Sequence, residues 1–116
     1  MKKKYHLDFL IDYYHDDTES MKTILELYLK ETPKEIVSIE KALAQKDIAT
    51  AKATTHKIKT NIAMLGIKET DAFVNAMHLI EPGDKISGDI LKLFTGFQEN
   101  IKAALAEIKS DFFGKI

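Results

Sequence analysis

Between Met21 and Leu43, core-type side chains recur every three or four residues, at Met21, Leu25, Tyr28, Thr32, Ile36, Ile39 and Leu43. A repeat of that period and length is the mark of an amphipathic helix. Pro33 sits inside the run. Proline removes one backbone hydrogen bond and clashes with the preceding turn, so a kink is expected there. The stripe continues across it, which predicts one bent helix reaching Gln45 rather than two separate ones.

The rest of the chain repeats this pattern. Leu7, Leu10, Ile11 and Tyr14 predict a short first helix that lids one end of the molecule. "HDD" at residues 15–17 reads as a helix stop, with Asp17 or Thr18 as the next N-cap. After a turn at "QKD", a helix is expected from about Ile48 to Gly66, with Ala51, Thr55, Ile58, Ile62 and Leu65 facing inward. Phe73, Ala76, Met77 and Ile80 predict another helix, stopped by "EPGDK". Ser87 can cap a last one, striped by Ile90, Phe94, Phe97, Ile101, Leu105 and Ile108. The tail "DFFGKI" is expected either to pack its phenylalanines or to fray. No segment alternates with period two, so no strand is predicted. Four substantial helices and mostly short connections favour an all-α fold, an antiparallel up-down-up-down four-helix bundle with an extra short N-terminal helix.

At 116 residues this reads as a single helical-bundle domain spanning 1–116. Its 45% hydrophobic and 30% charged residues suffice for a core. No apolar run approaches the roughly 20 residues that a bilayer requires, and "MKKKYHLDF" lacks the apolar region of a secretory signal. Cysteine is absent, which excludes disulfide and thiolate chemistry and fits a cytoplasmic setting. The four histidines (6, 15, 56, 78) are scattered without metal-ligand spacing, so no metal site is expected.

His56 stands out. A helix turns about 100° per residue, which puts His56 about 160° from Ile58, the centre of the buried face. Its face is shared by Ala49, Ala53, Lys59, Thr60, Ala63 and Ile67, where a solvated surface would carry glutamate, lysine and glutamine. A small-sided, partly apolar surface around one projecting side chain suits docking of a partner, although alanine is also simply the best helix former. Residues 46–68 hold five lysines and one acid, while the rest of the chain is acidic and the net charge is −1. Arginine is absent, so any phosphate contact uses lysine as a point charge. An imidazole with an ordinary pKa near 6.5 is a neutral nucleophile at physiological pH and can accept a phosphoryl group. Lys59, three residues on, is within reach to steady its oxygens. The basic patch would steer an acidic partner, and is too modest for nucleic acid.

"HKIKTNIAMLG" resembles the signature of histidine-phosphotransfer (HPt) domains, H-x-[LI]-K-G-x-x-x-x-[LVM]-G, with His56, Ile58, Lys59, Leu65 and Gly66 in register. "YHLDFL", "LYLKETPKEIVSIEKALAQKD" and "IATAKATTHKIK" are similar to the family's short first helix, its long proline-containing helix and the approach to its histidine. The resemblance implies a phosphorelay intermediate in two-component signalling. His56 would accept a phosphoryl group from a receiver-domain aspartate and pass it to another receiver, with Lys59 stabilising the phosphohistidine. It implies no cofactor, no kinase activity, a monomer, and as partners receiver domains with a hybrid histidine kinase. Lys52, Ala53, Lys57, Thr60, Ala63 and His78 are expected around the histidine or at the docking face. His78 falls where many members place a glutamine that hydrogen-bonds near the active histidine. It reads equally as a boundary residue beside Met77. Thr60 departs from the motif, which has glycine there, and adds a branched side chain one turn from His56.

Two rivals share these residues. "HKIKT" also resembles the phosphoacceptor box of sensor-kinase dimerisation domains, H-[ED]-[IL]-[RK]-T-P-L. Lys57 replaces its acid, Asn61 replaces its proline, and no nucleotide-binding domain follows. The second rival is a bundle adaptor that binds a receiver domain without carrying phosphate, with Thr60 as its hint.

Overall fold

A computed structural model describes residues 4–15 and 17–113, and every regular element among them is a helix. In order these are α1 (Asp8–Tyr14), α2 (Thr18–Ala44), α3 (Ile48–Leu65), α4 (Asp71–Leu79) and α5 (Gly88–Phe113). α2 runs unbroken past Pro33, as one helix. Its 27 residues span about 40 Å of a molecule whose long axis is 48 Å. α2 packs against α3, α3 against α4, α4 against α5, and α5 closes back onto α2. The predicted inward stripes fill this circuit. Leu25, Thr32, Ile36, Ile39 and Leu43 are buried on α2, and all five expected positions are buried on α3. Phe73 of α4 meets Phe94 and Phe97 of α5 at ring-centroid distances of 5.3 and 4.7 Å.

Capping chemistry sets the helix ends. The Asp17 carboxylate accepts the Ser20 amide at 3.1 Å and the Asp47 carboxylate accepts the Thr50 amide at 3.1 Å, so each fills an N-cap. Ser87 does the same for α5 through the Ile90 amide. At the other end of α3, the Gly66 amide donates to the Ala63 carbonyl and the Ile67 amide to the Ile62 carbonyl. That pair of bonds is a Schellman motif around a left-handed residue, and Gly66 has φ +56°. Past this point the chain leaves the helical path. Ile67 is therefore buried, against the expectation that it shares the exposed face of His56.

Two further expectations are corrected at the N-terminus. Ile11 is 50% exposed although it was placed on the inner stripe. A seven-residue helix lying on α2 and α3 covers only a narrow strip, and Leu7 and Leu10 supply it. Residues 4–6 cross the ends of α3 and α5, although Tyr5 and His6 were read with "YHLDFL" as part of the short first helix, which starts only at Asp8. The His6 amide donates to the Leu65 and Gly66 carbonyls, the Lys68 amide to the Lys4 carbonyl, and the Tyr5 phenol to Asp111. Burial and this acidic partner push the Tyr5 phenol well above its usual range. Ile80, expected inside α4, is its extended C-cap. Phe112 and Phe113 of the tail are half-buried on α5, and residues 114–116 lie outside the described residues, as does Asp16.

Gly66 is constrained twice, by its φ and by a neighbour. A β-carbon there would stand 2.3 Å from the His6 carbonyl oxygen and 2.7 Å from the His6 ring. Gly66→Ala is expected to cost more than the about 1–2 kcal/mol that left-handed geometry alone imposes on a β-carbon. Urea unfolding measures it, and a smaller loss would mean that residues 4–6 yield freely. Hydrogen bonds from the Thr50 side chain and backbone hold the Asp47 carboxyl below its ordinary value of 3.8. A lowered folded-state value stabilises the fold above the unfolded value and is lost as pH falls through the folded one. The thermal midpoint of Asp47→Ala should lie below wild type at neutral pH, with the gap closing beneath pH 3.8. A gap unchanged in strong acid would show that the carboxylate is not the active cap.

Candidate functional site

The angular argument for His56 holds in three dimensions. Ala51, Ile58 and Leu65 are wholly buried on one side of α3, while His56, Lys57, Lys59 and Thr60 are exposed on the others. α4 lies beside this exposed flank and makes it concave. The result is a cavity of about 320 Å³ lined by Lys52, Ala53, Thr55, His56 and Lys59 from α3 and by Val74, Met77 and His78 from α4.

Five of the eight expected site residues therefore share one cavity: His56, Lys59, Lys52, Ala53 and His78. His78 comes from another helix, 22 positions along the chain, and its side chain and that of His56 line the same space. Ala63 lines an adjoining cavity of about 410 Å³, where Lys59 and Val74 form the common wall and His6 of the N-terminal segment contributes. Lys57 and Thr60 are exposed and line neither cavity. Thr60 thus does not narrow the space between His56 and α4.

Polarity is uneven. The walls are apolar at Ala53, Val74 and Met77, the rim carries two lysines and two histidines, and among the described residues no carboxylate lines the cavity. Such a site favours an anionic group over a cation. The ammonium of Lys52 is already engaged. It donates to the Ile80 carbonyl at 2.5 Å and to the His78 carbonyl at 3.4 Å, at the C-terminal end of α4. Thr55 is 2% exposed at the cavity's inner edge, and its hydroxyl has no hydrogen-bond partner among the described residues. Among those residues no three histidine or carboxylate side chains gather as metal ligands, and no helix is long and apolar enough to cross a membrane.

Sequence reasoning missed Val74 as a wall and the bond between Lys52 and α4. Val74 follows the three- and four-residue spacing of Met77 and His78, so its face was available from the period. Nothing local signals the lysine bond or the arrival of His6, because both depend on how distant segments dock.

Comparison with curated proteins and with solved structures yielded no significant match. A family model described as the Hpt domain matches residues 23–110, from the first turns of α2 to the last turn of α5. Because that match takes in far more than half of the sequence, this chain belongs to the Hpt domain family, whose members are phosphocarrier modules of two-component signalling rather than autonomous kinases.

Proposed function

We propose that His56 is the phosphoacceptor of a phosphorelay, taking its phosphoryl group from a receiver-domain aspartate and passing it to a second receiver. The observation that carries this reading is the exposed imidazole on the flank of α3, beside Lys59 and over a cavity that two lysines line. In the first step the P–O bond of the aspartyl phosphate breaks and a P–N bond forms on an imidazole nitrogen. Aspartate leaves as carboxylate and the imidazole N–H proton passes to solvent. The onward step reverses this chemistry. Lys59 places a positive charge one turn from His56, where the phosphoryl oxygens gather negative charge. His78 faces the imidazole from α4 and supplies the hydrogen-bonding group that a glutamine supplies in related domains. Ala53 and Ala63 keep the approach low, while Lys57 and Thr60 frame it on the solvent side.

In this reading the helices of the bundle run alternately up and down. The chain works as a cytoplasmic monomer with receiver domains and a hybrid histidine kinase as partners. The rival adaptor would dock a receiver on the same flank, where Thr60 is exposed, without accepting its phosphoryl group.

Incubation with a phosphorylated receiver carrying labelled phosphate tests the proposal. Label should appear on the chain, be acid-labile and base-stable, and be absent from His56→Gln. A wild-type chain that stays unlabelled across a panel of receivers from the same organism would hand the case to the adaptor. Lys59→Ala should retain its helical content and form or hold the phosphohistidine less well. A hydrogen bond to a charged group is worth about 1.5–3 kcal/mol, which is on the order of 10- to 100-fold in rate. Unchanged rates and lifetime would remove Lys59 from the chemistry.

A further inference from the structure

α4 has nine residues, too few to be stable alone, and its last carbonyls lack partners within the helix. After Leu79 the backbone turns extended at Ile80, with ψ 143°. The Ile80 amide still returns to the Ala76 carbonyl, but the carbonyls of His78 and Ile80 point onward. Both are met by one side chain from the neighbouring helix, Lys52, through a short bond to Ile80 and a longer contact to His78. An ammonium at a helix C-terminus both satisfies orphan carbonyls and opposes the negative end of the helix dipole. Lys52 also lines the cavity that holds His56 and His78.

We infer that Lys52 is a positioning residue: it clamps the last turn of α4 to α3 and so holds the His78 side chain across the cavity from His56. This rests on the phosphoacceptor reading of His56 and deepens it. It also narrows the place of Lys52, which was expected either around the histidine or at the docking face. A charge already bonded to two carbonyls is directed at the protein's own backbone. The geometry across the cavity matters because small misplacements of reacting groups cost rate steeply.

The test measures phosphoryl transfer from a labelled receiver as a function of receiver concentration. Lys52→Met keeps the stem and removes the donor, and Lys52→Arg restores a donor. Lys52→Met should lower kcat on the order of tenfold with KM little changed. The loss should be the same at low and high salt, because a part-buried bond is weakly screened. Lys52→Arg should recover most of the rate. In His78→Ala, adding Lys52→Met should cost nothing further, since the clamp acts through His78. No loss in Lys52→Met overturns the proposal, as does a rise in KM alone that vanishes with salt, or full additivity with His78→Ala. Should the wild-type chain take no label, the phosphoacceptor reading fails by itself. The clamp is then judged by hydrogen exchange of the Ile80 amide and by the ring resonances of His78. Faster exchange and shifted resonances in Lys52→Met support it, and unchanged ones overturn it.

Discussion

Ala51, Ile58 and Leu65 recur every seven residues along α3, and none of them is exposed at all. Together with Thr55 and Ile62 they seat this helix against α2, its largest neighbour. Burying a side chain the size of isoleucine or leucine is worth about 1.5–3 kcal/mol, so turning α3 on its axis to submerge another face would forfeit several of these at once. The rotation of α3 is thereby set. Every side chain on the opposite flank, His56 and Lys59 among them, must point outward.

Apolar stripes set rotation better than they set sliding. A polar bridge between α2 and α3 supplies an axial register, since the Asn61 side-chain amide donates to the Glu35 carboxylate at 2.7 Å and reaches the Thr32 hydroxyl at 3.4 Å. Thr32 and Glu35 are buried, and displacement by one helical turn would leave them without these contacts. A buried polar group stripped of its partner costs on the order of 1–3 kcal/mol. At the far end of the same helix, residues 4–6 bind the carbonyls around Gly66 while Tyr5 reaches Asp111 on α5. Rotation, register and end are thus held by three different kinds of contact.

Much of this was legible beforehand. The number of helices, the passage of α2 through Pro33, the caps at Asp17 and Ser87, and the inner face of α3 all follow from local period and local hydrogen bonding. The misreadings have physical causes. Ile67 was projected along a helical wheel that stops at Gly66, where the left-handed turn sends the chain back into the core. Ile11 belongs to a helix too short to bury a wide stripe. The bond from Lys52 to the end of α4 was not legible, because the carbonyls that engage it lie 26 and 28 residues away.

The candidate site divides along the same line. His56 and Lys59 lie one turn apart on a single helix, so the sequence by itself determined their spacing, their shared flank and their direction away from the core. Those properties depend on a 3.6-residue period and on which face is apolar, and both are local. Only the tertiary structure decided that this flank is concave, that His78 stands at its other wall, that Thr60 stays clear of it, and that Lys52 is bonded to the end of α4. A cavity needs two helices at a definite offset, and that offset is set by the packing of α4 between α3 and α5, which no single stretch of the chain encodes.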